Sequence, residues 1–263
     1  MPDGYVFIAA STDLNLSYAL TTVIVGFKPD MTAHVITYFF TKCNIDSKLP
    51  TAQYNEVVYD VLTNLGREIK ALGIKIDGWG IDGSGMPFDA VTLFAKNAMQ
   101  LVGLPACAML GRASHLFNSF VRTRLRDAVN KTVLCGDAQE HVKAGAGKKY
   151  MFWNSDYYRE TVQKAFLAKV GVSGSCTLFK GDADTHAEYA MQMCNERLLL
   201  IQHKKDGRDI YSWKSREPHD ALDATAQAFA VAASQGISGM NMHRKHVAAA
   251  PVVKKTRPKI KVL

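Results

Sequence analysis

Nowhere does the 263-residue sequence hold an uninterrupted apolar run of the roughly 20 residues that crossing a bilayer requires, so no membrane partner is expected. The apolar patch from Tyr5 to Ala10 is shorter still and lacks a basic lead-in, which excludes a signal peptide. Cys43, Cys107, Cys135, Cys176 and Cys194 are widely separated, with no C-x-x-C pair. Neither a zinc site nor a disulfide framework is encoded, and a reducing, cytoplasmic setting is expected, the host cytoplasm if the protein is viral. A Walker motif is missing as well: Gly145 to Lys149 is rich in glycine and lysine but lacks the first glycine at the right spacing and a Ser or Thr after the lysine. That segment reads as a basic loop near DNA or as a plain surface loop. Acids are absent after Asp223, whereas Arg244, Lys245, Lys254, Lys255, Arg257, Lys259 and Lys261 contribute seven of the eight net positive charges. The C-terminal segment is therefore either a nucleic-acid arm or a solubilising terminus.

What is present is an ordinary globular composition, 48% hydrophobic and 21% charged, enough to bury a full core. Residues 1–236 are expected to form one domain and residues 237–263 a basic, flexible tail. The apolar run over residues 5–11, the β-branched run Ala19–Phe27 and the segment Thr32–Thr41 predict an antiparallel three-stranded meander carrying Asp13 on or just past its first strand. Apolar residues at Val57, Val58, Val61, Leu62, Leu65, Ile69 and Leu72 predict a helix over 54–72, closed by Gly73. A strand ending at Ile81 and Asp82 follows, with Gly83 and Gly85 permitting a sharp turn and close approach of a ligand. Then come a helix over 88–102, strands over 106–110 and 150–154, a helix capped by Asn154 or Ser155 and running to about Val170, and a helix over 184–194. A strand over 198–203 opens a hairpin ending near Trp213, where Tyr211 and Trp213 are expected to pack in the core or at an edge rather than act as base-stacking platforms. The order predicts an α/β fold: a mixed sheet, antiparallel meander first and parallel strands after, with helices on both faces.

The stretch Arg216–Ala233 carries the chemistry. Pro218 precedes an alanine-rich run, which predicts a helix with His219, Asp220 and Asp223 in its first turn. Asp220 and Asp223 share one face at i, i+3. The helix dipole alone favours acids there, but small apolar residues along the rest of the helix imply close packing that presents those acids to something. His219 could orient a water, bind metal or cap the helix. Asp13, Asp82, Asp220 and Asp223 all lie at element ends, and neighbouring first and fourth strands would let those ends converge. Magnesium or manganese takes oxygen ligands, and two ions about 4 Å apart between carboxylates stabilise both the attacking and the leaving oxygen of a phosphodiester.

An aspartate on the first strand of a meander, a Gly-Ile-Asp-Gly strand end and a late His-Asp-Ala-Leu-Asp-Ala helix together resemble the ribonuclease H-like (RNase H-like) nuclease domain of the tailed-phage terminase large subunit, the gpA-like branch most closely. The resemblance covers about residues 5–235. It implies a metal-dependent endonuclease that cuts viral double-stranded DNA during packaging, with two Mg2+ or Mn2+ ions held by Asp13, Asp82, Asp220 and Asp223. Implied partners are double-stranded DNA, a packaging ATPase domain, the small terminase subunit and the portal. Which of Asp220 and Asp223 binds more directly stays open. Arg112, Arg122, Arg124, Arg126, Lys131, Lys148 and Lys149 make the middle of the chain basic, as phosphate contacts or as a solvated face, and Arg244, Lys245, Lys254 and Lys255 add to the tail. A RuvC-like junction resolvase and a catalytically silent DNA-binding or capsid-docking module are the alternatives.

Overall fold

A computed structural model describes residues 4–85, 87–113, 139–143, 149–203, 209–215 and 218–237. The meander forms as expected from β1 (Phe7–Asn15), β2 (Ala19–Phe27) and β3 (Ala33–Lys42), paired antiparallel. All nine residues of β2 are buried, as a central strand covered on both faces requires. On the other side of β1 lie β4 (Gly78–Asp82), β5 (Ala106–Arg112) and β7 (Lys149–Asn154), each parallel to its inner neighbour. Two strands have no counterpart in the sequence pattern. β6 (Gln139–Lys143) pairs antiparallel with β7, and the three-residue β8 (Cys176–Leu178) runs parallel beside β3. The eight-stranded order is β6-β7-β5-β4-β1-β2-β3-β8, and β9 (Glu196–His203) and β10 (Asp209–Ser215) form a separate hairpin. Meander plus parallel strands is the RNase H-like arrangement expected of the sequence.

Helices α1 (Thr51–Ala71) and α2 (Phe88–Leu101) cover one face. Helices α3 (Ser155–Leu167), α4 (Ala183–Cys194) and α5 (Asp220–Ser234) cover the other. Strand alternation divides the core between them: Phe7 and Ala9 pack toward α5, Ile8 and Ala10 toward α1. Asn154 caps α3, accepting from Tyr157 N–H at 3.1 Å, and the helix stops at Leu167, short of the expected Val170. Among the described residues no helix is long and apolar enough to cross a membrane.

The placement of α5 sets where Asp220 and Asp223 lie. It is buried on nearly every side, as a helix apolar all round must be, and Phe229 meets Phe27 edge-on at 5.0 Å between ring centroids. Its closeness to the sheet depends on two bare positions in β4. A Cβ on Gly78 would lie 2.9 Å from a methyl of Val231, and one on Gly80 would meet Met109 Sδ of β5 and lie 2.8 Å from the other Val231 methyl, so a side chain at either position would press on the helix. At the other end α4 fixes the helix start. Gln192 Oε1 accepts from Ala221 N–H at 3.0 Å, and the hydroxyls of Tyr189 and Thr225 share a hydrogen bond at 2.8 Å.

Candidate active site

The C-terminal ends of β1 and β4 and the N-terminus of α5 meet at one place. Thr12 and Ile81 are register partners on parallel strands, so Asp13 and Asp82, each one residue further, stand side by side and point to the same face. That face carries Ser11 and Gly80, over which α5 is laid. The first turn of α5 supplies Asp220 and Asp223. Residues more than 200 positions apart thus share one site: Asn15 Nδ2 lies 3.5 Å from Asp220 Oδ2, and Gln227 Nε2 lies 3.5 Å from Asp13 Oδ1.

Gln227 is a site residue that the sequence pattern does not single out, although it falls on the stripe i, i+3, i+7 with Asp220 and Asp223 and is a polar residue in an otherwise apolar helix. It accepts from Ser11 Oγ at 3.0 Å while donating to Asp13, and so bridges strand to carboxylate. Ser84 N–H donates to Asp82 Oδ1 at 3.1 Å, closing a tight turn that fixes this carboxylate at the strand end. Thr21, the cross-strand partner of Asp13, has a buried hydroxyl with no hydrogen-bond partner among the described residues.

Electrostatically the site is short of positive charge. Burial raises Asp13 well above the usual carboxylate range, and repulsion from Asp223, Asp82 and Asp220 adds to it, opposed by Arg159. Asp82 is raised by burial and by Asp223, against hydrogen bonds from Ser84 and the charge of Arg112. Asp220 is raised chiefly by burial, with His219 and Asn15 opposing. The Arg112 guanidinium lies 5.8 Å from the Phe152 ring centroid and donates to Gly111 O at 2.8 Å.

Asp223 differs from the other three acids. Arg159 of α3 grips both its oxygens, Nε to Oδ1 at 2.5 Å and Nη2 to Oδ2 at 2.8 Å. Glu196, at the start of β9, stands 3.1 Å from the same Nε, and His219 Nε2 lies 3.4 Å from Glu196 Oε1 and 3.7 Å from Asp223 Oδ2. His219 occupies the N-cap position without a side-chain capping bond. Neither Arg159 nor Glu196 stands out in the sequence, where nothing links them to an aspartate 64 positions from Arg159.

Four partly buried carboxylates at one end of the sheet, with the unpartnered Thr21 hydroxyl beside Asp13, are the oxygen donor set that suits a hard divalent cation, which would relieve their repulsion. Among the described residues no three His, Cys, Asp or Glu side chains already stand at metal-holding distance, and Asp223 has both oxygens on Arg159. Beside Asp220 opens a cleft of about 780 Å³ lined by Tyr18, Thr21, Phe40, Lys42 and Gln192. Of the basic residues expected to meet DNA, Arg122, Arg124, Arg126, Lys131, Lys148, Arg244, Lys245, Lys254 and Lys255 lie outside the described residues. Lys149 begins β7, opposite Lys143 of β6.

Comparison with curated proteins returns no match. Among solved structures, the nuclease domain of the large terminase subunit gp2 of bacterial virus Sf6, with manganese and beta-thujaplicinol, is 10% identical. It covers 86% of this chain and 89% of that one at a TM-score of 0.47. The large terminase nuclease of thermophilic phage G20c with bound magnesium is 10% identical over 88% of this chain and 82% of that one, TM-score 0.39. RuvC of Thermus thermophilus is 10% identical over 88% and 98%, TM-score 0.36. Such distant likenesses transfer no residue role. The family model of the terminase large subunit gpA endonuclease domain matches residues 1–245, nearly the whole chain, and the chain belongs to that family.

Proposed function

We propose that this chain is a metal-dependent DNA endonuclease that hydrolyses phosphodiester bonds of viral double-stranded DNA during genome packaging. The observation that carries the reading is the convergence of Asp13, Asp82, Asp220 and Asp223, from three distant segments, at one end of the sheet. These four carboxylates would hold Mg2+ or Mn2+, two ions being expected. Bound there, the cations would polarise the scissile phosphate and lower the pKa of the attacking water.

The protein's own contribution is placement. Gln227 and Ser84 fix Asp13 and Asp82 with hydrogen bonds, and α5 holds Asp220 and Asp223 because its apolar length is locked onto β1 and β4. Burial makes the carboxylates poor at retaining their charge unaided, which favours cation capture over an empty, fully ionised site. The cleft beside Asp220, with Lys42 and two aromatic rings, is where a DNA strand would lie. Family membership favours linear duplex over four-way junctions as substrate.

Residues 1–236 constitute the nuclease domain in this reading. The basic tail, Arg122, Arg124, Arg126, Lys148 and Lys149 meet phosphates. A packaging ATPase domain, the small terminase subunit and the portal are its partners in the host cytoplasm. Plasmid nicking tests the assignment: wild type nicks supercoiled DNA with Mn2+ and stops with chelator, and Asp82→Asn does not nick.

A further inference from the structure

Asp223 is held in a manner the other three acids are not. The Arg159 fork meets both its oxygens, a geometry that fixes the plane of the carboxylate as well as its position. The side chains concerned are sequestered, Arg159 and Asp223 each 15% exposed and Glu196 4%. Burying a guanidinium opposes its charge, and Asp223 and Glu196 outweigh that opposition, so Arg159 stays charged.

Glu196 is the informative partner. Its Oε2 lies 3.1 Å from Arg159 Nε yet accepts no hydrogen bond among the described residues, since that N–H is aimed at Asp223 Oδ1. A buried carboxylate kept there without a hydrogen bond on that oxygen contributes little to folding and much to charge placement. It balances the guanidinium from β9 while the guanidinium's donors go to Asp223.

From this geometry we infer that Arg159 is a positioning residue of the site: its fork holds the position and plane of the Asp223 carboxylate, and Glu196 holds Arg159. The inference rests on the proposed reading of the four aspartates as cation ligands. Each Asp223 oxygen keeps a further lone pair beyond the one given to Arg159, so the fork leaves the carboxylate able to serve a cation. Lysine cannot replace arginine in this task, because an ammonium delivers charge at a point and cannot set the carboxylate plane.

The test is calorimetric titration of Mn2+ into the wild-type chain, Arg159→Lys and Glu196→Gln, with thermal melts in chelator alongside. Neither readout involves DNA cleavage. Wild type is expected to bind. Arg159→Lys and Glu196→Gln are each expected to bind about tenfold or more weakly, the range in which outer partners of metal ligands act. The double variant should lose less than the two single losses combined, because both act through one carboxylate. If Arg159→Lys does not fold, the Glu196→Gln titration decides alone. Unchanged affinity with a lowered melting temperature would reduce the network to a structural ion pair and overturn the inference. Tighter binding would do the same, by making the guanidinium a competitor of the cation. Wild type that fails to bind Mn2+ would overturn the nuclease reading and this inference with it, an outcome distinct from wild-type binding that the variants share.

Discussion

Asp13 is raised well above the usual carboxylate range, by burial first and by repulsion from its acidic neighbours second. Its folded pKa is raised above the unfolded value, so the stability linked to it is fully present below about pH 3.9 and is lost as pH rises through the folded pKa. Keeping Asp13 charged without metal therefore costs the fold stability that a neutral side chain would not cost. Asp13→Asn is expected to raise the melting temperature in chelator at pH 7.5 by at least about 2 °C, the shift that roughly 1 kcal/mol gives a domain of this size. The gain should fade as pH falls through the raised folded pKa toward 4, because wild-type Asp13 then takes up its proton in the folded state before the unfolded chain does. Differential scanning calorimetry over that range checks it, and a variant less stable at every pH would contradict it. The acids themselves are legible in the sequence, because aspartates beside glycine at a strand end and in the first turn of an apolar helix stand out by pattern. Arg159 and Glu196 are not legible. An arginine one turn into a helix and a glutamate opening a strand carry no local mark of a partner supplied by tertiary packing.

At the scale of elements, the register of β1 against β4 and the seat of α5 decide whether the carboxylates meet. The β-branched run of β2 and the helical spacing of α1 declare themselves through periodicity, and the helix after Pro218 through its alanines. β8, at three residues, is too short for any period, and β6 (Gln-Glu-His-Val-Lys) lacks apolar alternation. Both exist because a neighbouring strand offers an edge. Around β4 the sequence directs attention to Gly83 and Gly85 as room for a ligand, while Gly78 and Gly80 serve the helix instead. Gly80→Ala is accordingly expected to cost about 1–3 kcal/mol, the usual penalty of overpacking. The same substitution in a Val231→Ala background should cost measurably less, since the new methyl would meet Val231 Cγ2 as well as the flexible end of Met109, and only the first is fixed to the helix backbone by a short branched side chain. Urea melts of the four proteins give both numbers, and equal costs in the two backgrounds would contradict this account of how α5 is seated.

Across the whole molecule, charge is divided between an acidic site and a basic remainder. The net +8 is concentrated after Asp223, beyond the helix that carries the last two acids. If those cations meet phosphates, deleting residues 241–263 weakens DNA binding and flattens the dependence of log K on log salt by about 0.9 for each phosphate no longer neutralised. An unchanged slope would return the tail to a solubilising role. The melting temperature is expected to stay put, since the described residues up to Ile237 already form both core clusters.

The claim on which all of this depends is that Asp13, Asp82, Asp220 and Asp223 form one cation-dependent hydrolytic site. Conversion of supercoiled plasmid to nicked circles by wild type and Asp82→Asn, with Mn2+ and with chelator, measures it directly. The expected result is nicking by wild type only when Mn2+ is present, with a loss of at least about a hundredfold in Asp82→Asn while its melting curve stays cooperative, since a group acting on the reacting atoms contributes about 2.7 kcal/mol or more. Undiminished nicking by Asp82→Asn, or by wild type in chelator, would contradict it.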